Sequence, residues 1–322
     1  MKPRPLSPDE IVRAREGLRP LLPNTPLRRS FALGDRGQVF LKLECWQPTG
    51  SFKVRGALHL LASLTPQERS RGVVAASAGN HALGVAFAVE SLGGTVPATL
   101  FVPETVPRAK LDKLRSFPVT VRVEGRTYDD AFALATAFAE RTGASYLHAF
   151  DDPRTAAGQG TVGLEILEDL PQVGTILVPV GGGGLLAALA VAVKAVAPQV
   201  RLVAVQPEAS PALRQSLREG RPLLEYPAGP TLADGLAGGI GEILWAHRAL
   251  IDEVVAVSED EIEDAIAALA SQDQVSAEGS GAVGVAALRA ERVALGPGPA
   301  VVVVTGGNLD AAVLARILGP RL

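Results

Sequence analysis

The 322-residue sequence predicts an α/β protein with parallel-type sheets flanked by helices. Short, continuous apolar runs rich in Val, Ile and Leu alternate with longer helical patterns over most of the chain. Continuous apolar strands separated by helices are typical of parallel sheets that are covered on both faces. We predict seven strands, at residues 72–77, 98–103, 119–124, 175–180, 201–206, 253–257 and 300–305.

The helix predictions rest on apolar periodicity and on capping residues. Three helix candidates lie between predicted strands, at residues 80–93, 129–143 and 163–170. Other helix starts carry a hydroxyl residue followed three positions later by a glutamate, as in Ser7 with Glu10, Thr65 with Glu68, and Ser258 with Glu261. This spacing allows each side chain to cap the other residue's backbone N–H.

One segment indicates where the chain divides. Loop-forming residues return at 148–160, after three strand–helix units. A smaller sheet before this segment and a larger sheet after it would fit the pattern.

Composition and charge exclude several classes of function. The formal net charge is -3 and no Lys/Arg block is interleaved with aromatic residues, so we expect no nucleic-acid partner. Cys45 is the only cysteine, which excludes an internal disulfide and fits a buried thiol in a reducing compartment. The first residues lack the apolar core of a signal peptide, and the most apolar segment, 185–197, is interrupted by Lys194. We therefore expect a cytoplasmic protein without a membrane partner.

Lys53 stands in an unusual setting for a lysine. It lies in the stretch QPTGSFKVRGA, residues 47–57, among small and apolar residues. The chain has only six lysines against twenty-five arginines. A lysine can form an imine where burial lowers its pKa, whereas an arginine cannot. Lys53 is therefore a candidate for imine formation.

Four consecutive glycines, Gly181 to Gly184, join a predicted strand to a predicted helix. Backbone N–H groups at such a helix start form a site suited to a phosphate. No lysine follows the loop, which excludes a P-loop. The glycines could also simply permit tight packing of the strand against the helix.

The same loop supports an alternative from another class of enzyme. Gly182, Gly184 and Ala187 satisfy the pattern G-x-G-x-x-A, and Glu208 lies twenty-one residues beyond Ala187. This is the fingerprint of dinucleotide binding, so an NAD-dependent dehydrogenase is the second hypothesis.

Two further loops follow predicted strands. They read SAGNH, residues 77–81, and TGGN, residues 305–308. Ligands of open α/β sheets bind beyond the carboxyl ends of the strands, so all three loops lie on the expected side. Asn80 and Asn308 are two of only three asparagines in the chain, although turn formation or helix capping could also explain them.

Five motifs in this order resemble one enzyme family. PTGSFKVRGA, SAGNHALGVA, PVGGGGL, ADGLAG and TGGN are similar to those of the fold type II pyridoxal-phosphate enzymes, whose fold is tryptophan synthase beta-like. Within that family the chain resembles the threonine/serine dehydratase and serine racemase branch. The resemblance implies a large cofactor-binding domain, residues 1–71 and 150–322, a small domain, residues 72–149, and a homodimer or homotetramer.

The resemblance also implies a role for each motif. Lys53 would bind the aldehyde of pyridoxal 5'-phosphate and remove the proton from the substrate Cα. The residues implied to contact the cofactor are Phe52, Lys53, Asn80, Gly181, Gly182, Gly183, Gly184, Leu185, Gly235, Glu278 and Thr305. Of these, Asn80 would bind the ring hydroxyl, the glycine loop would bind the phosphate, and Thr305 would face the pyridine nitrogen. The substrate carboxylate would bind to Ser77, Ala78, Gly79, Asn80 and His81.

The implied activity is that of an ammonia-lyase. L-Threonine would yield 2-oxobutanoate and ammonia, and L-serine would yield pyruvate. Ala78 stands where serine racemases carry a second acid–base serine, which favours dehydration and leaves serine racemase as the alternative. Gln206, Ser210 and Ala212 occupy the family's cation-site positions, so the binding of a divalent or monovalent cation is left open.

Overall fold

A computed structural model describes residues 5–106 and 108–321, which form two sheets. The strands are β1 (Leu27–Arg29), β2 (Val39–Lys42), β3 (Val73–Ala76), β4 (Ala98–Val102), β5 (Thr120–Val123), β6 (Ser145–Tyr146), β7 (Thr175–Pro179), β8 (Arg201–Pro207), β9 (Glu253–Val257) and β10 (Ala300–Val303). The larger sheet has the order β1-β2-β10-β7-β8-β9, and the smaller sheet has the order β5-β4-β3-β6. Every pairing is parallel except that of β1 with β2.

The structure confirms the α/β class and all seven predicted strands. Sequence patterns missed β1, β2 and β6, which are only two to four residues long. Such short segments cannot display a period that distinguishes a strand from a loop. The strands of the smaller sheet lie between residues 73 and 146. The domain boundaries stay a prediction, and residues 1–4 and 322 lie outside the described part of the chain.

Helices connect and cover the strands. They are α1 (Pro8–Leu18), α2 (Lys53–Ser63), α3 (Pro66–Arg71), α4 (Asn80–Ser91), α5 (Arg108–Arg115), α6 (Tyr128–Thr142), α7 (Pro153–Asp169), α8 (Gly184–Val196), α9 (Ala212–Glu219), α10 (Glu242–His247), α11 (Glu259–Ala268), α12 (Gly279–Arg289) and α13 (Ala311–Leu318). The three predicted capping boxes are present at α1, α3 and α11. None of the helices in the described part of the chain has the length and apolarity that a membrane crossing requires.

The prediction of a loop over residues 148–160 is wrong beyond residue 152, because α7 begins at Pro153. The Asp152 carboxylate accepts a hydrogen bond from the Arg154 N–H at 2.7 Å and so caps the helix. A Cβ atom at Gly158 would lie 2.7 Å from the Cα atom of Gly56 in α2. Close packing of α7 against α2 therefore accounts for Gly158, one of the glycines that made this segment resemble a loop.

Alternate residues of the strands face two different apolar layers. In β7, Ile176 and Val178 belong to the core with α7 and α8, whereas Leu177 belongs to the core with α11 and α12. The smaller sheet packs against α2 and α4 on one face and α6 on the other. Both sheets are thus covered on both faces, which leaves the loops at the strand ends as the places where a ligand can bind.

Candidate active site

Lys53 opens α2, directly after the loop that precedes it. Its Nζ donates a hydrogen bond to the Ala149 carbonyl at 3.0 Å and lies 5.2 Å from the centre of the Phe52 ring. Burial lowers the pKa of the Lys53 amine to about 8, although the negative charge of Glu278 opposes the shift. At pH 7 about a tenth of this amine is uncharged and able to act as a nucleophile or base, far more than for an ordinary lysine.

A cluster of buried charges anchors the helix that carries Lys53. The Arg55 guanidinium donates to the Glu44 carboxylate at 2.7 and 2.8 Å and to the Glu165 carboxylate at 2.7 and 2.9 Å. The Lys42 ammonium lies 2.8 Å from the Glu165 carboxylate. These four side chains are almost fully buried and their formal charges cancel. The first turn of α2 is therefore fixed to β2 and to α7.

The glycine loop is packed closely by its neighbours. Gly183 has a φ of +87°, a conformation that favours glycine. A Cβ atom at Gly182 would lie 2.4 Å from the Phe150 ring, and one at Gly181 would lie 2.8 Å from the Leu236 Cα. Tight packing, the simpler explanation of the four glycines, is thus part of the reason for them.

The same loop also offers free donors. Within the described part of the chain, the backbone N–H groups of Gly182, Gly183 and Gly184 donate to no protein acceptor. They lie at the start of α8, where the helix dipole favours an anion. Phe150, which packs on Gly182, directly follows Ala149, the acceptor of Lys53. Two adjacent residues, Ala149 and Phe150, therefore contact the Lys53 amine and the glycine loop respectively and place them close together.

The SAGNH loop leads from β3 into α4. The Ser77 N–H donates to the Phe101 carbonyl, and the Gly79 N–H donates to the Ser77 hydroxyl at 3.2 Å. In the described part of the chain, the N–H groups of Asn80 and His81 have no protein acceptor. The predicted carboxylate site thus has two free backbone donors at a helix start, and its role stays a prediction.

The His81 ring is held by a backbone carbonyl. Its Nε2 lies 2.8 Å from the Leu147 carbonyl oxygen, which can only accept, so Nε2 carries the proton. Burial and the charge of Lys53 lower the pKa of His81 to about 3. The ring therefore stays neutral and holds the loop in place. Its Nε2–H is already bonded to the Leu147 carbonyl and is not available to a substrate carboxylate.

Asn80 belongs to a chain of polar contacts that crosses three loops. Its Nδ2 donates to the Glu278 Oε1 at 2.7 Å, and its Oδ1 accepts from the Asn308 Nδ2 at 2.7 Å. Burial and the nearby charge of Asp234 raise the pKa of Glu278 to about 7. One N–H of the Asn80 amide remains for a ligand, as the predicted contact with the cofactor hydroxyl requires.

Thr305 and Gly235 meet at Ser280, near the start of α12. The Thr305 hydroxyl lies 3.3 Å from the Ser280 carbonyl oxygen, and the Gly235 N–H donates to the Ser280 hydroxyl at 3.0 Å. The Thr305 carbonyl accepts from the Phe52 N–H at 3.0 Å. These contacts bring the predicted neighbours of the cofactor ring close to Lys53.

The predicted cation-site positions carry their own hydrogen bonds. Gln206 is buried, and its Nε2 lies 3.4 Å from the Val180 carbonyl oxygen and 3.5 Å from that of Ser210. Its Oε1 accepts from the Arg214 N–H, and Ala212 supplies no ligand atom in its side chain. Within the described residues, no group of three or more His, Cys, Asp or Glu side chains could hold a metal ion.

These residues fit pyridoxal phosphate, the cofactor that the resemblance implies. The fit rests on an amine with a lowered pKa, on free N–H groups at the start of α8 and on one free N–H of Asn80. The sequence analysis assigns no role to two parts of the site, the Ala149 carbonyl and Asn308. The Ala149 carbonyl has no sequence signal, because any residue carries one. Asn308 was noticed in TGGN, and its rarity in the chain was a usable signal.

Comparisons with known proteins agree with this geometry. The family model described as pyridoxal-phosphate dependent enzyme matches residues 18–306. The L-threonine ammonia-lyase of Thermotoga maritima is 45% identical over 319 residues, which cover 98% of this chain and 78% of that relative. These matches favour the pyridoxal-phosphate hypothesis over the NAD-dependent alternative.

Solved structures with the same fold include a threonine deaminase and a serine racemase, the two activities of the predicted branch. The processed form of threonine deaminase isoform 2 from Solanum lycopersicum has a TM-score of 0.90 and 31% identity, and the match covers 99% of this chain and 96% of that one. Maize serine racemase has a TM-score of 0.91 and 31% identity, and the match covers 99% and 98% of the two chains. The chain therefore belongs to the pyridoxal-phosphate dependent enzymes, a family whose cofactor is pyridoxal phosphate.

Proposed function

We propose that this protein is an L-threonine ammonia-lyase that converts L-threonine to 2-oxobutanoate and ammonia, and L-serine to pyruvate. The Lys53 amine, opposite the Ala149 carbonyl and near the free N–H groups of the glycine loop, is the observation that carries the proposal. Relatives over nearly the whole chain that are named L-threonine ammonia-lyase support the choice of substrate.

When bound, pyridoxal phosphate withdraws electrons from the substrate Cα and so makes its proton acidic. Lys53 removes that proton, because its pKa of about 8 leaves part of the amine neutral near physiological pH. The Ala149 carbonyl accepts a hydrogen bond from Nζ and holds the amine near one position. The protonated Nζ stays beside this carbonyl until it releases the proton again; the β-hydroxyl takes up one proton and leaves as water, so that protons balance and Lys53 is neutral for the next cycle.

The two helix starts divide the task of binding anions. The N–H groups at the start of α8 bind the phosphate, and those at the start of α4 bind the substrate carboxylate. The Thr305 hydroxyl, which has no charge and lies 3.3 Å from the Ser280 carbonyl oxygen, would face the pyridine nitrogen. A hydroxyl does not hold that nitrogen protonated as a carboxylate would, and this favours loss of the β-hydroxyl over reversible proton exchange.

Serine racemase is the second candidate, and the likeness to maize serine racemase favours it. Racemisation needs an acid–base group on each face of Cα, and Ala78 provides none where racemases carry a serine. We therefore expect pyruvate to form faster than D-serine from L-serine. Chiral chromatography of the products tests this order, and faster formation of D-serine would make the racemase the main activity.

The experiment that tests the proposal compares wild type with Lys53→Ala. We expect wild type to be yellow after incubation with pyridoxal phosphate and to produce 2-oxobutanoate from L-threonine, and Lys53→Ala to lose both properties. Lys194→Ala is the matched control, because Lys194 lies about 15 Å along α8 from Gly184. Full activity and an unchanged spectrum in Lys53→Ala would overturn the proposal.

We also propose that the enzyme works in the cytoplasm as a homodimer or homotetramer. The single cysteine, Cys45, is a buried free thiol, as is usual for proteins of a reducing compartment. Light scattering during size-exclusion chromatography measures the assembly, and a monomeric mass would contradict this part of the proposal.

A further inference from the structure

Asn308 joins three loops of the site with one side chain. Its Nδ2 donates to the Thr49 carbonyl at 2.9 Å and to the Asn80 Oδ1 at 2.7 Å. Its Oδ1 lies 3.3 Å from the Lys113 Nζ on α5. Thr49 belongs to the loop that precedes Lys53, and Asn80 opens α4.

The partners decide which way the Asn308 amide points. The Thr49 carbonyl can only accept a hydrogen bond, and the Lys113 ammonium can only donate one. The nitrogen of the Asn308 amide must therefore face Thr49 and Asn80, and its oxygen must face Lys113. In a flipped amide, the Asn308 oxygen would face the Thr49 carbonyl and the Asn80 Oδ1, both acceptors, and the Asn308 nitrogen would face the Lys113 ammonium, a donor.

The backbone is shaped to admit this side chain. Gly50 has a φ of +78°, and a Cβ atom there would lie 2.7 Å from the Asn308 Oδ1. The Gly307 N–H donates to the Gly50 carbonyl at 2.9 Å. Any larger residue at position 50 would displace Asn308. The close packing of Gly50 against Asn308 is thus a second observation, independent of the hydrogen bonds.

The orientation of Asn308 fixes that of Asn80. Because an Asn308 N–H points at Asn80, the Asn80 atom that faces it must be the oxygen. The Asn80 nitrogen then faces Glu278 with one N–H and keeps the other N–H free. Without Asn308, only the contact with Glu278 still orients the Asn80 amide, so its nitrogen is held less firmly towards a ligand that needs a donor.

We propose that Asn308 is a positioning residue that holds the Asn80 amide with its nitrogen towards the ring hydroxyl of the cofactor. The proposal rests on the proposed function, since it assumes that pyridoxal phosphate binds here. Asn308 would thus act on the cofactor through Asn80 and not by direct contact.

A double-mutant cycle on cofactor binding tests the proposal. The variants are Asn80→Ala, Asn308→Ala and the double variant, and the readouts are the Kd for pyridoxal phosphate, the visible absorption band of the bound cofactor and the unfolding temperature. We expect Asn308→Ala to weaken binding about tenfold, which corresponds to about 1.4 kcal/mol, and to shift the absorption band. In the Asn80→Ala background, removal of Asn308 should change the Kd less than twofold, because the contact it makes is already gone.

Two further variants control for folding. Asn308→Asp has the same shape but opposes oxygens to Thr49 and Asn80, so it should weaken binding more than Asn308→Ala does. Asn24→Asp makes the same chemical change at a remote site, where the Asn24 Oδ1 accepts from Arg15 at 2.9 Å, and should leave the Kd unchanged.

The outcomes separate the two proposals. If wild type fails to bind pyridoxal phosphate, both proposals fail. If wild type binds it and Asn308→Ala has the same Kd and absorption band, only the positioning role is overturned. Additive effects of the two alanine substitutions would likewise overturn it, since Asn308 would then act independently of Asn80.

Discussion

Replacement of Arg55 by methionine should destabilise the fold strongly. Methionine has a similar length but cannot donate to the carboxylates of Glu44 and Glu165. Glu165 keeps its contact with Lys42 at 2.8 Å, whereas Glu44 keeps only hydrogen bonds from Thr25 at 2.5 Å and Gln47 at 3.3 Å. The Glu44 carboxylate would therefore be left buried without Arg55, the cation that contributes most to its lowered pKa, and only the more distant charge of Lys42 would remain.

The magnitude follows from the burial of the cluster. Removal of one partner from a buried ion pair typically costs about 3–5 kcal/mol, because the remaining charge stays desolvated. This is a large part of the roughly 5–15 kcal/mol that stabilises a typical folded protein. At about 2.1 cal/mol/K of unfolding entropy per residue, the unfolding temperature of the 322-residue chain should fall by roughly 4–7 °C. Part of the loss should disappear in acid, where Glu44 takes up a proton.

Thermal unfolding of wild type and Arg55→Met, followed by circular dichroism, measures the effect. Arg108→Met is the control, since Arg108 is exposed and lies 3.6 Å from Asp112, a pair worth about 0.5 kcal/mol or less. Addition of Glu44→Gln to Arg55→Met should restore part of the stability, because it removes the unpaired charge. An unfolding temperature of Arg55→Met within 2 °C of wild type would refute the reasoning.

Three further predictions follow from the site. The rate at which pyridoxal phosphate attaches to cofactor-free protein should rise with pH, reach half its maximum near pH 8, where half of the Lys53 amine is neutral, and level off above that pH; a rise that continues to pH 10 would indicate an unperturbed amine. Because the pKa of Glu278 is raised to about 7, its protonated form stabilises the folded protein at low pH, and this contribution, about 3 kcal/mol, should be lost as the pH rises from 4.5 to 7. Urea unfolding at each pH measures the loss, which should be absent from Glu278→Gln. Gly183→Ala should weaken phosphate binding at the glycine loop and lower stability by more than Gly220→Ala, which has the same left-handed backbone but open space around it; equal effects would show that only backbone strain matters.

The loops of the site could be predicted because parallel strands order them. Once β3, β7 and β10 are recognised as buried strands, Asn80, Gly181 and Thr305 must leave the sheets at carboxyl ends. The unusual setting of Lys53 then indicated which chemistry those loops serve. The local pattern predicts the strands and the loops that follow them because burial of a strand depends mainly on its own side chains.

The remaining features depend on contacts between distant parts of the chain. The Ala149 carbonyl becomes a partner of Lys53 only because α2 packs beside the segment that leads into α7. The glycines of α7 resemble a loop until Gly158 is seen to lie against Gly56. Likewise, Glu44 and Glu165 are 121 residues apart, and only the fold brings both to Arg55.

The central claim is that Lys53 holds the cofactor, and chemical trapping tests it most directly. The protein loaded with pyridoxal phosphate is reduced with borohydride, which fixes the cofactor to the amine that carries it, and the digested peptides are analysed by mass spectrometry. The chain has only six lysines, so the assignment is unambiguous. We predict a single modified peptide that contains Lys53. Modification at another lysine, or none, would contradict the account.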